Sequence, residues 1–314
     1  MDNIIDLYYK NCSNRDEFEI IFNSNTYEKT KIPIHKSGLF FQKNNDLKIY
    51  KNKENIKTTA TSYGDFNRLI SVLNNNGFIL QNEKYILSIG LNKNRIRITN
   101  LDGIKEYCNT GNLPNYNIEY IEKKTKKVNG TIVKNHFNNK YNFRINYKTE
   151  NPLSDMTIDL LKKDFKESYK TFRYIKRFIL TNEKFPYLKI DCSIVKSKTK
   201  FKTLKESNIF KSNANYEIEM ELINDKIIEF KNSTTDFNSK KNEIKNIVKL
   251  IFSTLQNTIY PIDNMKKHYI IKKYHSLASN NISSNNYRRG CLNDNKSFFG
   301  PGSVALQREH LHED

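Results

Sequence analysis

Along most of the chain, hydrophobic and polar residues alternate one for one, the period of a strand with one buried face. Alternating or β-rich segments occur at 17–22 (EFEIIF), 38–41, 47–50, 84–90 (KYILSIG), 95–99 (RIRIT), 118–123, 141–148 (YNFRINYK), 172–180 (FRYIKRFIL), 187–195 (YLKIDCSIV) and 216–223 (YEIEMELI). Clusters of Asn, Gly, Pro and Asp separate them, as antiparallel pairs joined by turns require. In three places the period lengthens to that of a helix. Ser62 and Asp65 form a start signal ahead of Phe66, Leu69, Ile70 and Leu73, with a stop at Asn74–Gly77. Ser154 caps a second helix carrying Ile158, Leu161 and Phe165, and Ile244, Ile247, Val248, Ile251, Phe252 and Leu255 form the most regular apolar stripe. No repeat period typical of solenoids or propellers is present. About ten strands with few helices predict an α+β, mainly β, sandwich or barrel. Beyond residue 260 the pattern decays into a Lys/His/Tyr stretch and an Asn/Ser-rich segment. One domain is therefore expected over 1–260 and a linker or tail over 261–314.

The charged residues inside the strands narrow the chemistry. Residues i and i+2 share a face, so Glu17, Glu19 and Ile21 lie opposite Phe18, Ile20 and Phe22, and Glu217, Glu219 and Glu221 lie opposite Tyr216, Ile218, Met220 and Leu222. Arg95, Arg97 and Thr99 share a face, as do Arg144, Asn146, Lys148 and Glu150, then Arg173 and Arg177, then Asp191 and Ser193. Lys176 falls opposite Arg173 and Arg177. A sheet with one wet face accounts for any one of these strands. Three glutamates on one strand face repel unless something neutralises them. Clustered carboxylates suit a hard cation such as Mg²⁺ or Mn²⁺, and interleaved Arg and Lys suit phosphate oxygens. Around one phosphoryl group the two sets supply what phosphoanhydride hydrolysis needs.

Composition adds direction. The chain has 53 Lys+Arg against 34 Asp+Glu, a net +19 that points to a polyanionic partner, although an AT-rich genome would supply part of the Lys, Asn and Ile excess. With 37% hydrophobic and 12% aromatic residues a folded core is expected. There is no apolar run long enough for a membrane span and no secretory signal pattern at the start. Cys12, Cys108, Cys192 and Cys291 are dispersed, which argues against a zinc ribbon or disulfide scaffold and for a reducing compartment. His310 and His312 read as part of a solvated tail, and the sequons at Asn129 and Asn232 as chance in an Asn-rich chain. Neither a phosphate-binding Gly-x-x-x-x-Gly-Lys loop nor a dinucleotide glycine fingerprint is present.

Six segments in one order carry a resemblance. EFEIIF and YEIEMEL (216–222) stand first and last; RIRITNLDGIKEYC (95–108), FRINYKTE (143–150), FRYIKRF (172–178) and KIDCSIVKS (189–197) follow one another between them. Over roughly 15–225 the chain resembles the triphosphate tunnel metalloenzymes. More narrowly, it resembles the RNA 5′-triphosphatase module at the N-terminus of mRNA capping enzymes of large cytoplasmic DNA viruses and relatives. FFGPGSVALQREHL (298–311) is similar to the segment leading into their guanylyltransferase domain.

The resemblance implies a closed antiparallel barrel of eight strands with a few packed helices, and a tunnel for the triphosphate. It implies Mg²⁺ or Mn²⁺ on Glu17, Glu19 and Glu219, with Glu217 and Glu221 assisting. Arg97, Arg144, Lys148, Arg173 and Arg177 would grip phosphates, and Asp191, Ser193 and Glu150 would orient basic side chains or water. Ile21 and Ile175 stand where the family commonly has a basic residue, so Lys176 is assigned to phosphate through a local irregularity, with another basic residue as the alternative. The implied activity is release of the γ-phosphate from 5′-triphosphate RNA, the first step of capping, in the cytoplasm, or packaged in a virion if the chain is viral. The implied partners are the RNA end and a guanylyltransferase or methyltransferase module, in cis or in trans. A guanylyltransferase itself needs Lys-x-Asp-Gly, and before Asp102–Gly103 the lysine position holds Asn100. Two other readings remain: a tripolyphosphate or NTP phosphohydrolase of the same fold, and a non-catalytic nucleic-acid-binding protein using lysine-rich loops 122–127, 196–205 and 266–273, near Tyr269 and Tyr274.

Overall fold

A computed structural model describes residues 1–22, 61, 63–91, 93–138, 141, 143–232 and 237–259. The segments expected at 38–41 and 47–50, Ser62, and the tail 261–314 lie outside the described residues. In chain order the elements are α1 (Asp2–Asn11), β1 (Asp16–Phe22), α2 (Tyr63–Asn75), β2 (Ile79–Leu91), β3 (Asn94–Ile98), α3 (Leu101–Thr110), β4 (Ile118–Thr125), β5 (Lys127–Val128), β6 (Thr131–Ile132), β7 (His136–Asn138) and β8 (Phe143–Pro152). They continue with α4 (Asp155–Asp164), β9 (Lys170–Thr181), β10 (Leu188–Phe201), α5 (Leu204–Ser207), β11 (Asn215–Leu222), α6 (Asn224–Lys231) and α7 (Phe237–Gln256).

Eight strands pair in the order β1-β11-β10-β9-β2-β3-β4-β8, and β8 pairs again with β1, so the pairings close into a ring. Every pairing in the ring is antiparallel. Closure gives every strand of the ring a partner on each side.

The register sorts side chains consistently around the ring. Glu19 pairs with Asn146 and Glu221, Lys189 with Glu221 and Thr181, Asp191 with Glu219 and Ile179, and Ser193 with Glu217 and Arg177. Lys84 pairs with Arg177, Ser88 with Arg173 and Arg97, Arg97 with Glu119, and Lys123 with Glu150. Directly paired residues share a face, so all of these lie on one side. The alternate residues form the core. Phe18, Ile20, Ile145, Tyr147, Ile190, Ile218 and Met220 pack with Ile5 and Tyr8 of α1, Phe66 and Leu69 of α2, Ile227 of α6, and Ile244, Ile251 and Phe252 of α7. A second cluster joins Leu87, Ile89, Ile96, Ile98 and Phe172 to Ile104 and Tyr107 of α3, Leu161 of α4 and the adjoining Phe165. Each such side chain contributes roughly 1.5–3 kcal/mol when fully buried. Helices thus cover the apolar face from outside, and the charged face is the interior.

The three expected helices are α2, α4 and α7, and the Ser154 hydroxyl does cap α4, accepting from the Thr157 amide at 3.4 Å. The pattern reading missed α1, α3, α6 and the β5–β6 ribbon, which turns through Asn129 and Gly130, both with positive φ. The Asn100 side chain caps α3, accepting from the Gly103 amide at 2.9 Å, and a Cβ at Gly103 would lie 2.6 Å from that oxygen. Asp102–Gly103 is therefore a helix start. Among the described residues no helix is long and apolar enough to cross a membrane.

Candidate active site

β1 and β11 are neighbours in the ring, which brings the first and last glutamate strands together although about 200 residues separate them. Glu17, Glu19, Glu219 and Glu221 therefore converge on one seam of the interior. Lys123 of β4 reaches it from one side. Its amine is 2.6 Å from Glu17, 2.8 Å from Glu150 and 4.0 Å from Glu19. Arg177 of β9 reaches it from the other, donating to Asp191 at 3.0 Å, Glu219 at 3.4 Å and the Ser193 hydroxyl at 3.3 Å. Arg173 pairs with Glu217 at 2.7 Å, Lys189 with Glu221 at 2.9 Å, and Arg97 with Glu150 at 2.8 Å. Asn146 donates to Glu19 at 3.4 Å.

These pairs do not balance the carboxylates they touch. Burial first, and Glu19 second, push the Glu17 carboxyl up to about 8. For Glu19 burial works upward, but Lys123 and a hydrogen bond from Glu17 outweigh it and hold the group low, so the pair keeps one proton between them. Burial and the Glu19 charge across the seam push Glu219 up to about 7 against the pull of Arg177. Burial raises Glu221 as well, against Lys189. Two acceptor atoms beside this seam are buried without a hydrogen-bond partner among the described residues, Asp191 Oδ1 and Asn146 Oδ1. Excess negative charge and orphaned oxygen acceptors fit a hard, hydrated cation. Among the described residues no three His, Cys, Asp or Glu side chains stand at metal-ligand spacing, and each glutamate of the seam is turned toward a basic side chain.

The interior cations fall into two classes. Arg97, Lys123, Arg173, Arg177 and Lys189 each hold a carboxylate. Lys84, Arg95, Arg144 and Lys148 stand in no ion pair among the described residues, and the buried Nε of Arg144 has no hydrogen-bond partner among them. Burial lowers the affinity of Arg95 for its proton, with Arg97 and Arg173 adding to the effect, and burial also lowers Lys148. A cavity of about 600 Å³ opens at one end of the ring, lined by Glu17, Arg97, Glu150, Arg177, Lys189 and Glu221 among others.

Twelve of the thirteen residues assigned to catalysis or phosphate face this interior: Glu17, Glu19, Glu150, Asp191, Glu217, Glu219, Glu221, Arg97, Arg144, Lys148, Arg173 and Arg177. Lys176 does not. The β9–β10 register is unbroken from Lys189 to Thr199, so no irregularity turns Lys176 inward. It sits on the outer face beside Tyr85 and Phe178 and pairs with Glu83 at 2.8 Å. The inward neighbour is Ile175, which pairs with Ile86 and Val195 to make an apolar stripe in the wall. Sequence reasoning missed Lys84, Lys123 and Lys189 and assigned no role to Arg95. Parity alone places Lys123 with Glu119, and Lys189 with Asp191.

No family model matches the chain, and no curated protein does. Solved structures do. The RNA triphosphatase domain of a trifunctional mimivirus mRNA capping enzyme is 20% identical, with 81% of this chain and 96% of that one covered and a TM-score of 0.47. A monoclinic form of the mimivirus capping enzyme triphosphatase is 18% identical, with 80% and 96% covered and a TM-score of 0.46. A triclinic form is 19% identical over 80% and 96%, with a TM-score of 0.45. The chain is similar to these viral capping-enzyme triphosphatase structures.

Proposed function

We propose that this chain hydrolyses the γ-phosphate of 5′-triphosphate RNA in a divalent-metal-dependent reaction, as the first step of cap formation. The observation that carries the reading is the interior of the ring, where two glutamate strands meet at one seam between walls of arginine and lysine. Glu17, Glu19 and Glu219 would hold Mg²⁺ or Mn²⁺, and the bound cation would neutralise charge on the γ-phosphate. The orphaned Asp191 Oδ1 and Asn146 Oδ1 beside them support a hydrated ion there.

The other residues position and hold. Glu150 keeps Arg97 extended across the interior, Asp191 and Ser193 fix the Arg177 guanidinium on two sides, and Glu217 fixes Arg173. A cation held in place before the phosphate arrives needs no reorganisation in the transition state, the condition under which electrostatic stabilisation is strongest. Arg95, Arg144 and Lys148, which hold no carboxylate, are free to donate to phosphate oxygens. A glutamate of the seam would orient the attacking water and take its proton. Grip confined to phosphates makes the triphosphate end the recognised feature and leaves nucleotide sequence unread.

RNA carrying a γ-³²P label tests this. Label is expected to leave only with Mg²⁺ or Mn²⁺ present, and faster than from ATP or tripolyphosphate. Metal-independent release would sink the reading, and preference for tripolyphosphate would replace it with a polyphosphate hydrolase of the same fold.

A further inference from the structure

Resting on that reading, we propose that the RNA chain approaches the ring from the end opposite the cavity and lies along a lysine- and tyrosine-bearing ribbon formed by β9 and β10. Asn215, the first residue of β11, pairs with Val195. Lys196–Phe201 of β10 therefore run on past β11, still paired with Lys170–Tyr174 of β9. The cavity lies at the other end of these strands, where Lys84, Ile179 and Lys189 line it. On the inner face of the ribbon the side chains after Arg173 are small hydroxyls, Thr171, Ser197 and Thr199, with Gly90 opposite Thr171.

The charge at the two ends differs. Residues 196–211 carry six lysines (196, 198, 200, 202, 205 and 211) and one acid, Glu206. The side-chain amines of Lys198, Lys200 and Lys205 enter no hydrogen bond or ion pair among the described residues. Lys200 has φ 66° at the register shift between Thr199 and Phe201. Tyr169 is 68% exposed beside Lys202, whose amine lies 6.0 Å from the ring centre. Exposed aromatic rings among lysines suit single-stranded nucleic acid, whose bases stack while its phosphates pair with the amines. The cavity end is balanced: Lys84, Arg97, Arg177 and Lys189 line it with Glu17, Glu83, Glu119, Glu150 and Glu221. Arg15 lies beside Glu150, whose amide donates to its carbonyl, and Lys105 of α3 follows the lining residue Leu101 and pairs with Asp102.

Inside, the cations that hold no carboxylate divide between the two ends: Lys84 lines the cavity and Lys148 pairs in register with the cavity-lining Glu17, whereas the two arginines lie toward the ribbon. Arg95 pairs in register with Gly90, which pairs with Thr171 of the ribbon, and Arg144 stands one inward position beyond Glu19 and Asn146, away from the cavity. The inward arginines that hold no carboxylate thus sit on the ribbon side of the seam. They are placed for the α- and β-phosphates of a chain entering from that end while the γ-phosphate reaches the glutamates.

The test is the triple substitution Lys198→Gln/Lys200→Gln/Lys205→Gln, with Tyr169→Ala as a separate variant and Arg15→Gln/Lys105→Gln as the cavity-end comparison. Binding of a triphosphate-ended RNA of about twenty nucleotides is read by fluorescence anisotropy between about 50 and 200 mM salt. The triple variant is expected to raise Kd roughly tenfold at low salt and reduce the slope of log Kd against log salt by about 2. Tyr169→Ala is expected to raise Kd about fivefold or more. Tripolyphosphate affinity stays as in the unsubstituted protein. Unchanged RNA affinity in the triple variant and in Tyr169→Ala, or an equal loss in the cavity-end variant, overturns the proposal. Because binding is read without turnover, an inactive protein would refute the proposed hydrolysis and leave this result to stand or fall alone.

Discussion

Asp16 and Glu17 are adjacent in the chain and face opposite sides of β1, and their surroundings differ in kind. The Asp16 carboxylate, outside the ring and fully buried, accepts from the Lys126 amine at 2.6 Å, the Tyr147 hydroxyl at 3.2 Å, the Thr149 hydroxyl at 3.1 Å and the Ser13 amide at 2.9 Å. Inside the ring, one amine, that of Lys123, serves Glu17, Glu19 and Glu150 together. A buried carboxylate whose acceptor sites are filled stabilises the fold through its partners. Carboxylates that share too few donors raise the energy of the folded chain and favour any cation bound among them. The completed carboxylate ties elements of the fold together, and the under-compensated ones are those to which the proposed metal is assigned.

The sharpest way to break this contrast is to remove each kind of carboxylate. Glu19→Ala and Glu219→Ala are expected to lower triphosphate hydrolysis by about 10³-fold or more while the melting temperature holds or rises. Asp16→Ala removes one partner of a buried pair and should cost about 3–5 kcal/mol, lowering the melting temperature by roughly 10 °C. The fraction of Asp16→Ala protein that remains folded should keep its turnover. Equal loss of stability in all three variants would erase the distinction.

A smaller effect separates the two faces of β9. Arg177→Ala should reduce turnover by about 10²-fold, since it frees Asp191, Glu219 and Ser193 at once. Lys176→Ala, whose solvent-screened pair with Glu83 lies on the outer face, should change turnover and melting temperature little. Comparable activity loss in both would mean that Lys176 acts from outside.

The smallest expected change is in pH dependence. Burial, with Glu19 adding to it, raises Glu17 to about 8 and Glu219 to about 7 from an ordinary value of 4.5, so the folded chain keeps protons there that the unfolded chain gives up. The stability tied to those protonated forms is full below the ordinary carboxylate range and is lost as pH rises through 7 and then 8. Metal-free protein should melt a few degrees lower near about pH 8.5 than near about pH 6, and Mg²⁺ or Mn²⁺ should remove most of that difference. Melting curves indifferent to both pH and metal would place the interior glutamates with Asp16.

Local patterns made much of this legible in the chain. Glu-x-Glu and Glu-x-Glu-x-Glu between apolar residues assign a face to each glutamate, and the same parity puts Arg97, Arg144, Lys148, Arg173 and Arg177 on charged faces. It also put Lys176 opposite its neighbours, and the family pattern overrode that reading wrongly. Other elements were harder to see for stated reasons. The stripe of α1 is short, with Ile5 and Tyr8 fully buried, and its stabilising contacts come from β1, β8 and the C-terminal helices. α3 contains a glycine near its start and reads as a turn until Asn100 is seen to cap it. Asn129–Gly130 is a hairpin signal, but its two-residue flanks are too short to read as strands.

The sequence by itself determined which side chains share a face of each strand, because alternation along a strand is set by backbone geometry. It also determined which faces pack against helices, because apolar area must leave water. It could not determine which strands touch. That depends on long-range pairing, and only closure of the ring brings β1 beside β11, so that Glu19 and Glu219 act on one another. Nor could parity show that Lys123 is shared by three carboxylates while Arg95, Arg144 and Lys148 hold none. The division between cations that position glutamates and cations left for a ligand is a property of the tertiary structure, because Coulomb energy depends on distance through space and on burial.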